Sequence, residues 1–179
     1  DLAMARSRFS RLMAATSDVR WATRSMPDRW SVAECIAHLN LSSRAMQPLL
    51  EGAVSEARAL AGSSGGARRL RGSVLGSMLV RLVGPAPGIG RLRFGRTKTP
   101  PSFVPAGELS RPVVVSEFEK HLEAHARLLA AADGLPIDLP RIASPFAQGV
   151  QYDAYSALRV VTRHMHRHLA QAERVWGRG

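Results

Sequence analysis

The sequence predicts an all-α protein: a four-helix bundle with a long Gly/Pro-rich excursion between its second and third helices. Three observations point there. Four stretches of about 20 residues carry apolar side chains at helical spacing. The only strand-like run is the short one at 111–115. Glycine and proline crowd into 84–112, which holds Pro85, Pro87, Pro100, Pro101, Pro105 and Pro112. With 179 residues, the chain is expected to form a single domain over 1–179.

The first helix is expected over 2–23, where Leu2, Phe9, Leu12, Met13 and Thr16 form a stripe. Met26-Pro27-Asp28 then makes a turn. The second helix has the clearest start in the chain. Ser31 is followed three residues later by Glu34, the arrangement in which side chains at the helix start satisfy each other's free backbone N–H groups. Trp30 can staple the entry. Ala33, Ile36, Ala37 and Leu39 carry the helix on to about residue 60, with a possible bend at Pro48. The Gly/Ser run 62–66 is a break. Residues 68–83 read as a short basic amphipathic helix, and 84–112 as a long loop of the kind that is either functional or disordered. The third helix is expected from about Ser116, with Glu119 as a second capping partner. Its stripe is Val115, Phe118, Leu122, His125, Leu129 and Ala132, and Gly134 ends it. A connector spans 136–149, and the fourth helix runs from about 152 to 176.

Composition removes several classes of function. Apolar residues make up 45% of the chain and charged residues 22%, enough for a real core. No apolar run approaches the ~20 residues of a membrane span, and the longest, 74–83, is interrupted by Arg81. No secretory signal is visible at the start. Cys35 is the only cysteine, which excludes an internal disulfide, a Cys-rich zinc finger and an iron–sulfur site. These features read as cytoplasmic. The net charge of +11 comes almost wholly from arginine, since Lys98 and Lys120 are the only lysines. Such a balance suits nucleic acid, anionic lipid or acidic small molecules, and equally an ordinary solvated surface. No Gly-x-Ser-x-Gly elbow or convincing phosphate-binding glycine loop is present.

The histidines carry the chemistry. Three of the six fall in His164-Met165-His166-Arg167-His168. At ~100° per residue, His164 and His168 share one helix face, about 40° apart, while His166 points the other way. Ala157, Val161, Ala172 and Val175 bracket the pair, and buried imidazoles need partners. A metal ion would satisfy both, although Met165 stands where a His-Glu-x-x-His peptidase has its general base. Ordinary hydrogen-bonded or surface histidines are the alternative. A third ligand must come from another helix. His38 lies on the second helix's stripe, with Cys35 on the same face as a possible soft-metal ligand or an inert buried thiol. His125 is a weaker fourth candidate. His121 and His166 are assigned to solvent.

With these residues in view, the chain resembles the DinB/YfiT-like family of four-helix-bundle metalloproteins. Trp30-Ser31-Val32-Ala33-Glu34-Cys35-Ile36-Ala37-His38-Leu39 is similar to that family's Trp-Ser-x-x-Glu-x-x-x-His-Leu entry to its second helix. His164-Met165-His166-Arg167-His168-Leu169-Ala170-Gln171 is similar to the His-x-x-x-His-x-x-Gln stretch of its last helix. Thr97-Lys98-Thr99-Pro100-Pro101 and Ser144-Pro145-Phe146 add a weaker match. The resemblance implies a divalent metal on His38, His164 and His168, with zinc or nickel suited to imidazole, and often a homodimer. Three protein ligands leave positions open, as in catalytic sites. Gln171, one turn beyond His168, is the candidate for orienting a ligand or substrate.

Relatives include transferases and isomerases that use a low-molecular-weight thiol such as bacillithiol or mycothiol. The functions expected by analogy are therefore a metal-dependent thiol S-transferase or a hydrolase acting on a small molecule. Arg91, Arg93, Arg96 and Lys98 are placed to receive acidic groups. The competing reading is a basic nucleic-acid or stress-associated binding module without catalysis, resting on the charge and on Arg68, Arg69, Arg71 and Arg81. It is weakened by an aromatic content of 6% and by the lack of any nucleic-acid motif. A membrane-surface role for 68–83 is the third possibility. Val74, Leu75, Leu79 and Leu82 are expected instead to cover the bundle.

Overall fold

The structure is a computed structural model that describes residues 1–62, 69–84 and 99–176. The loop arginines Arg91, Arg93 and Arg96, with Thr97, Lys98 and Arg68, lie outside the described residues. Six helices and one small hairpin are described: α1 (Leu2–Ala15), α2 (Asp18–Ala22), α3 (Val32–Ala61), α4 (Val74–Val83), α5 (Arg111–Ala132), β1 (Arg141–Ala143), β2 (Gln151–Asp153) and α6 (Ala154–Trp176). The four long helices form a ring. α3 packs on α5 and α6, and α1 closes the ring against the same two. α4 lies outside it, against α6. The result is the all-α bundle expected, with the short helices α2 and α4 beside its four long ones. Phe9, Ile36, Leu39, Met46, Phe118, Leu122, Met165 and Leu169 fill its centre. Among the described residues no helix is long and apolar enough to cross a membrane.

α3 begins as its sequence predicts. Ser31 Oγ accepts from the Glu34 amide (3.2 Å), and the Glu34 carboxylate accepts from the Ser31 amide (2.8 Å). Arg24 clamps the same carboxylate with two hydrogen bonds. The helix runs unbroken past Pro48. That residue is exposed, so the Arg44 carbonyl deprived of its donor faces water.

Four boundaries differ from expectation. The helix read over 2–23 is two helices. Thr16 turns extended and Ser17 starts a new cap, its Oγ accepting from the Arg20 amide. The strand-like 111–115 run is the first turn of α5, because Pro112 suits the opening of a helix and helical geometry buries Val114 while leaving Val113 exposed. Further along α5, Leu128 rather than Leu129 is buried. α4 begins only at Val74, where Ser73 caps it. The connector before α6 contains β1 and β2, paired antiparallel with Ile142 opposite Tyr152. Both of those side chains are buried, so a three-residue hairpin forms where the helix was expected to begin.

Asp153 joins the hairpin to two helices. Its carboxylate accepts from the Ser156 amide at the start of α6 (2.7 Å) and from the amide and hydroxyl of Ser73 (2.8 and 2.5 Å). Burial alone would raise its pKa, but these donors prevail and hold it below the usual carboxylate value. α4 and α6 meet at Gly76, where a Cβ would collide with Ser156.

Candidate metal centre

α3 and α6 are neighbours in the ring, and this brings two distant sequence segments together. His38 projects from α3, and His164 and His168 from successive turns of α6. One ring nitrogen of each lies within 4.8 Å of the others. The Nε2 atoms of His38 and His164 are 3.2 Å apart. Ring centroids lie 4.4 Å apart for His38 and His168, and 4.5 Å for His164 and His168. His38 and His168 are buried, whereas His164 keeps partial access to solvent.

One hydrogen bond fixes the protonation pattern of His38. Its Nδ1 lies 2.7 Å from the Phe103 carbonyl. A carbonyl only accepts, so Nδ1 carries the proton and Nε2 turns its lone pair toward His164. Phe103 closes the short turn Pro101–Phe103. Its ring packs on Phe146 at 4.6 Å, and Phe146 approaches His164 at 6.3 Å. Trp30 covers the opposite side, 5.0 Å from His38 and stacked on His168 at 5.9 Å. The cluster therefore sits between aromatic walls.

Burial sets the charge state. It is the largest cause pushing all three histidines below their ordinary pKa: His38 downward, His164 to about 3, and His168 well below. The neighbouring imidazoles and Arg167 add to the effect at His164 and His168. All three rings are neutral at pH 7, the form in which imidazole donates a lone pair to a metal. His168 Nδ1 is buried without a hydrogen bond of normal geometry, although the Gln171 side chain lies near enough to favour ring protonation slightly.

The donor set fits a divalent transition ion. Two imidazoles bound tetrahedrally at ~2.0–2.1 Å place their nitrogens about 3.3 Å apart, close to the 3.2 Å between His38 and His164. The second-nitrogen hydrogen bond of His38 is the kind that orients metal-binding histidines.

The other candidates do not join this group. Cys35 is fully buried and free, and burial raises its pKa, the state of an inert thiol. His125 faces the core and pairs with the Thr162 hydroxyl at 3.0 Å. Two solvent assignments are corrected. His166 is buried with Nε2 3.0 Å from the Asp1 carbonyl, because α1 packs across that face of α6. His121 is half-buried beside Glu117 at 3.4 Å. Gln171 is half-buried on α6.

Sequence reasoning assigned Trp30 only a stapling role and gave Phe103 none. Trp30 precedes the cap of α3, so helical spacing did not link it to His38. The Phe103 contribution is a backbone carbonyl, which leaves no mark on residue type.

Fold and cluster together define a helical-bundle protein with three convergent imidazoles from two helices. The chain belongs to the DinB superfamily, whose family description matches residues 1–172. No curated protein and no solved structure matches it.

Proposed function

We propose that this protein is a metal-dependent enzyme whose single divalent ion, zinc or nickel, is held by His38, His164 and His168. The observation that carries the reading is the convergence of three neutral imidazoles, two with nitrogens at ligand-like separation. Bound there, the ion supplies a Lewis acid able to acidify a thiol or water. The chain's own residues do the rest. The Phe103 carbonyl fixes the His38 ring, and Trp30, Phe103 and Phe146 keep water away. The partly exposed side of His164 is the entrance. Gln171 orients the bound group through its amide.

The favoured reaction is S-transfer from a low-molecular-weight thiol to a small electrophile. The thiol sulfur forms the new bond to carbon, and the leaving group departs with the thiol proton. Hydrolysis of a small ester or amide is the second reaction the same centre supports. We further assign the protein to the cytoplasm, as a homodimer and one domain. The net charge of +11 supports a competing role in nucleic-acid binding, which predicts affinity falling steeply with salt.

A panel of thiols with a chromogenic electrophile, and of esters without thiol, tests the proposal. Turnover on either panel that chelator abolishes and His168→Ala lacks is expected. Metal-loaded protein inert on both panels, yet shifting DNA or RNA in a salt-sensitive way, would replace it with the binding role.

A further inference from the structure

α4 is apolar on two opposite sides. Its inner side is accounted for: Gly76 and Val80 are buried, and Leu79 and Val83 pack on the core. Its outer side carries Val74 (88% exposed), Met78 (61%), Leu82 (45%) and Leu75 (39%). Residues 74, 78 and 82, with 75 beside them, span an arc of about 100° on the helix surface. The expectation that these side chains cover the bundle is therefore wrong for three of the four. Only Leu79 does so. A short surface helix with apolar side chains on its outer as well as its inner side, its polar Ser77 and Arg81 confined to one edge, marks a face that something covers.

The charge around this face selects the partner. Arg81 flanks Val74 on the helix itself, Arg71 stands just before it, and Arg163 of α6 lies beside the Gly84 end. All three are exposed. Residues 69–84 contain no acidic side chain, nor does the adjoining half of α6 through His168. Two carboxylates bond the segment leading into α4: Asp138, which accepts from the Arg71 amide, and Asp153, which is buried and accepts from Ser73. We propose that the outer face of α4 docks onto an anionic lipid bilayer, its four apolar side chains entering the interface and the arginines meeting the headgroups.

A second copy of the chain fits less well. A ten-residue helix offers a face of about 15 Å by 10 Å, roughly 150 Å², against the ~800 Å² per partner of a stable interface. Two such faces would also bring arginine rims together in a chain of net charge +11. The helix is fixed firmly enough to present its face. Asp153 holds the capping Ser73, and Arg167 donates to the Leu82 carbonyl at 3.0 Å.

Co-sedimentation of the full chain with extruded vesicles tests this. Pelleting with phosphatidylcholine/phosphatidylglycerol vesicles at low salt, little pelleting with phosphatidylcholine alone, and release at high salt are expected. Met78→Asp and Leu82→Asp should each cut the bound fraction by roughly tenfold or more, because a carboxylate opposes entry into the interface. Both side chains are exposed, so circular dichroism and melting should match wild type. Arg71→Gln with Arg81→Gln should weaken binding to anionic vesicles in the same way. Failure of the wild type to pellet with anionic vesicles overturns the proposal, as does equal pelleting of Met78→Asp or equal binding to neutral vesicles. Wild type that stays off vesicles but self-associates, with Met78→Asp monomeric, assigns the face to a second copy.

Discussion

His38 is held by the Phe103 carbonyl, and His125 by the Thr162 hydroxyl and the Leu158 backbone, yet the two buried imidazoles play different parts. His125 packs away from the cluster, and burial pushes it to about 4 from an ordinary value of 6.5. Below pH 6.5 the unfolded chain takes up a proton that the folded chain refuses. The stability present above 6.5 is therefore lost as pH falls toward 4, by about 2 kcal/mol at pH 5. Urea unfolding at pH 7 and pH 5 should show His125→Gln losing less stability than wild type by about that amount. Equal losses would mean that His125 does not titrate as its burial requires. Cys35 gives a second check. A fully buried thiol with a raised pKa should react with a disulfide reagent only as the protein unfolds. Rapid labelling of native protein would contradict the packing of α3. At this scale the sequence was informative where a side chain carries the role. Spacing placed His164 and His168 on one face, the second helix's stripe offered His38 as a third ligand, and the family resemblance chose it over Cys35 and His125. It was silent where the backbone does, as at Phe103.

Helix starts were legible where capping chemistry is explicit. Ser31 and Glu34 announce α3, and the structure contains both halves of that exchange. Where a cap competes with hydrophobic pattern, the pattern misleads. Ser17 starts α2 inside what looks like one helix, and the valines after Pro112 look like strand but occupy the first turn of α5. The three-residue strands are too short to show alternation, and their pairing depends on burying Ile142 and Tyr152 from opposite sides of a loop. Two glycines make the packing of elements testable. At Gly76 a Cβ meets Ser156, so Gly76→Ala should destabilise by about 1–3 kcal/mol through overpacking. At Gly52, inside α3, an added Cβ would meet nothing within 4 Å, so Gly52→Ala should stabilise by about 0.5–1 kcal/mol. Chemical denaturation of the pair reads both signs. A neutral Gly76→Ala would show that α4 does not sit tightly on α6.

The ring order of the bundle is what turns separate motifs into a site. α3 and α6 lie 126 residues apart at His38 and His164, and only their adjacency allows the imidazoles to meet. Sequence pattern supplied the four long helices but not their order, because amphipathic stripes say which face is buried and not which neighbour buries it. The packing side of α4 escaped the pattern for a related reason: its apolar residues lie on two opposite sides, and nothing in their spacing chooses which of the two turns inward. A convergent set of buried, neutral imidazoles is costly to maintain without a partner, and a bound ion stabilises the fold by mass action. Elemental analysis of protein purified without chelator, repeated on His38→Ala, His164→Ala and His168→Ala, tests the central claim most directly. The account predicts about one divalent transition ion per wild-type chain, accompanied by a rise in Tm over the chelated form, and loss of the ion in each variant. Wild-type protein that carries no such ion and takes none up when offered zinc or nickel, or variants that retain it, would contradict the account.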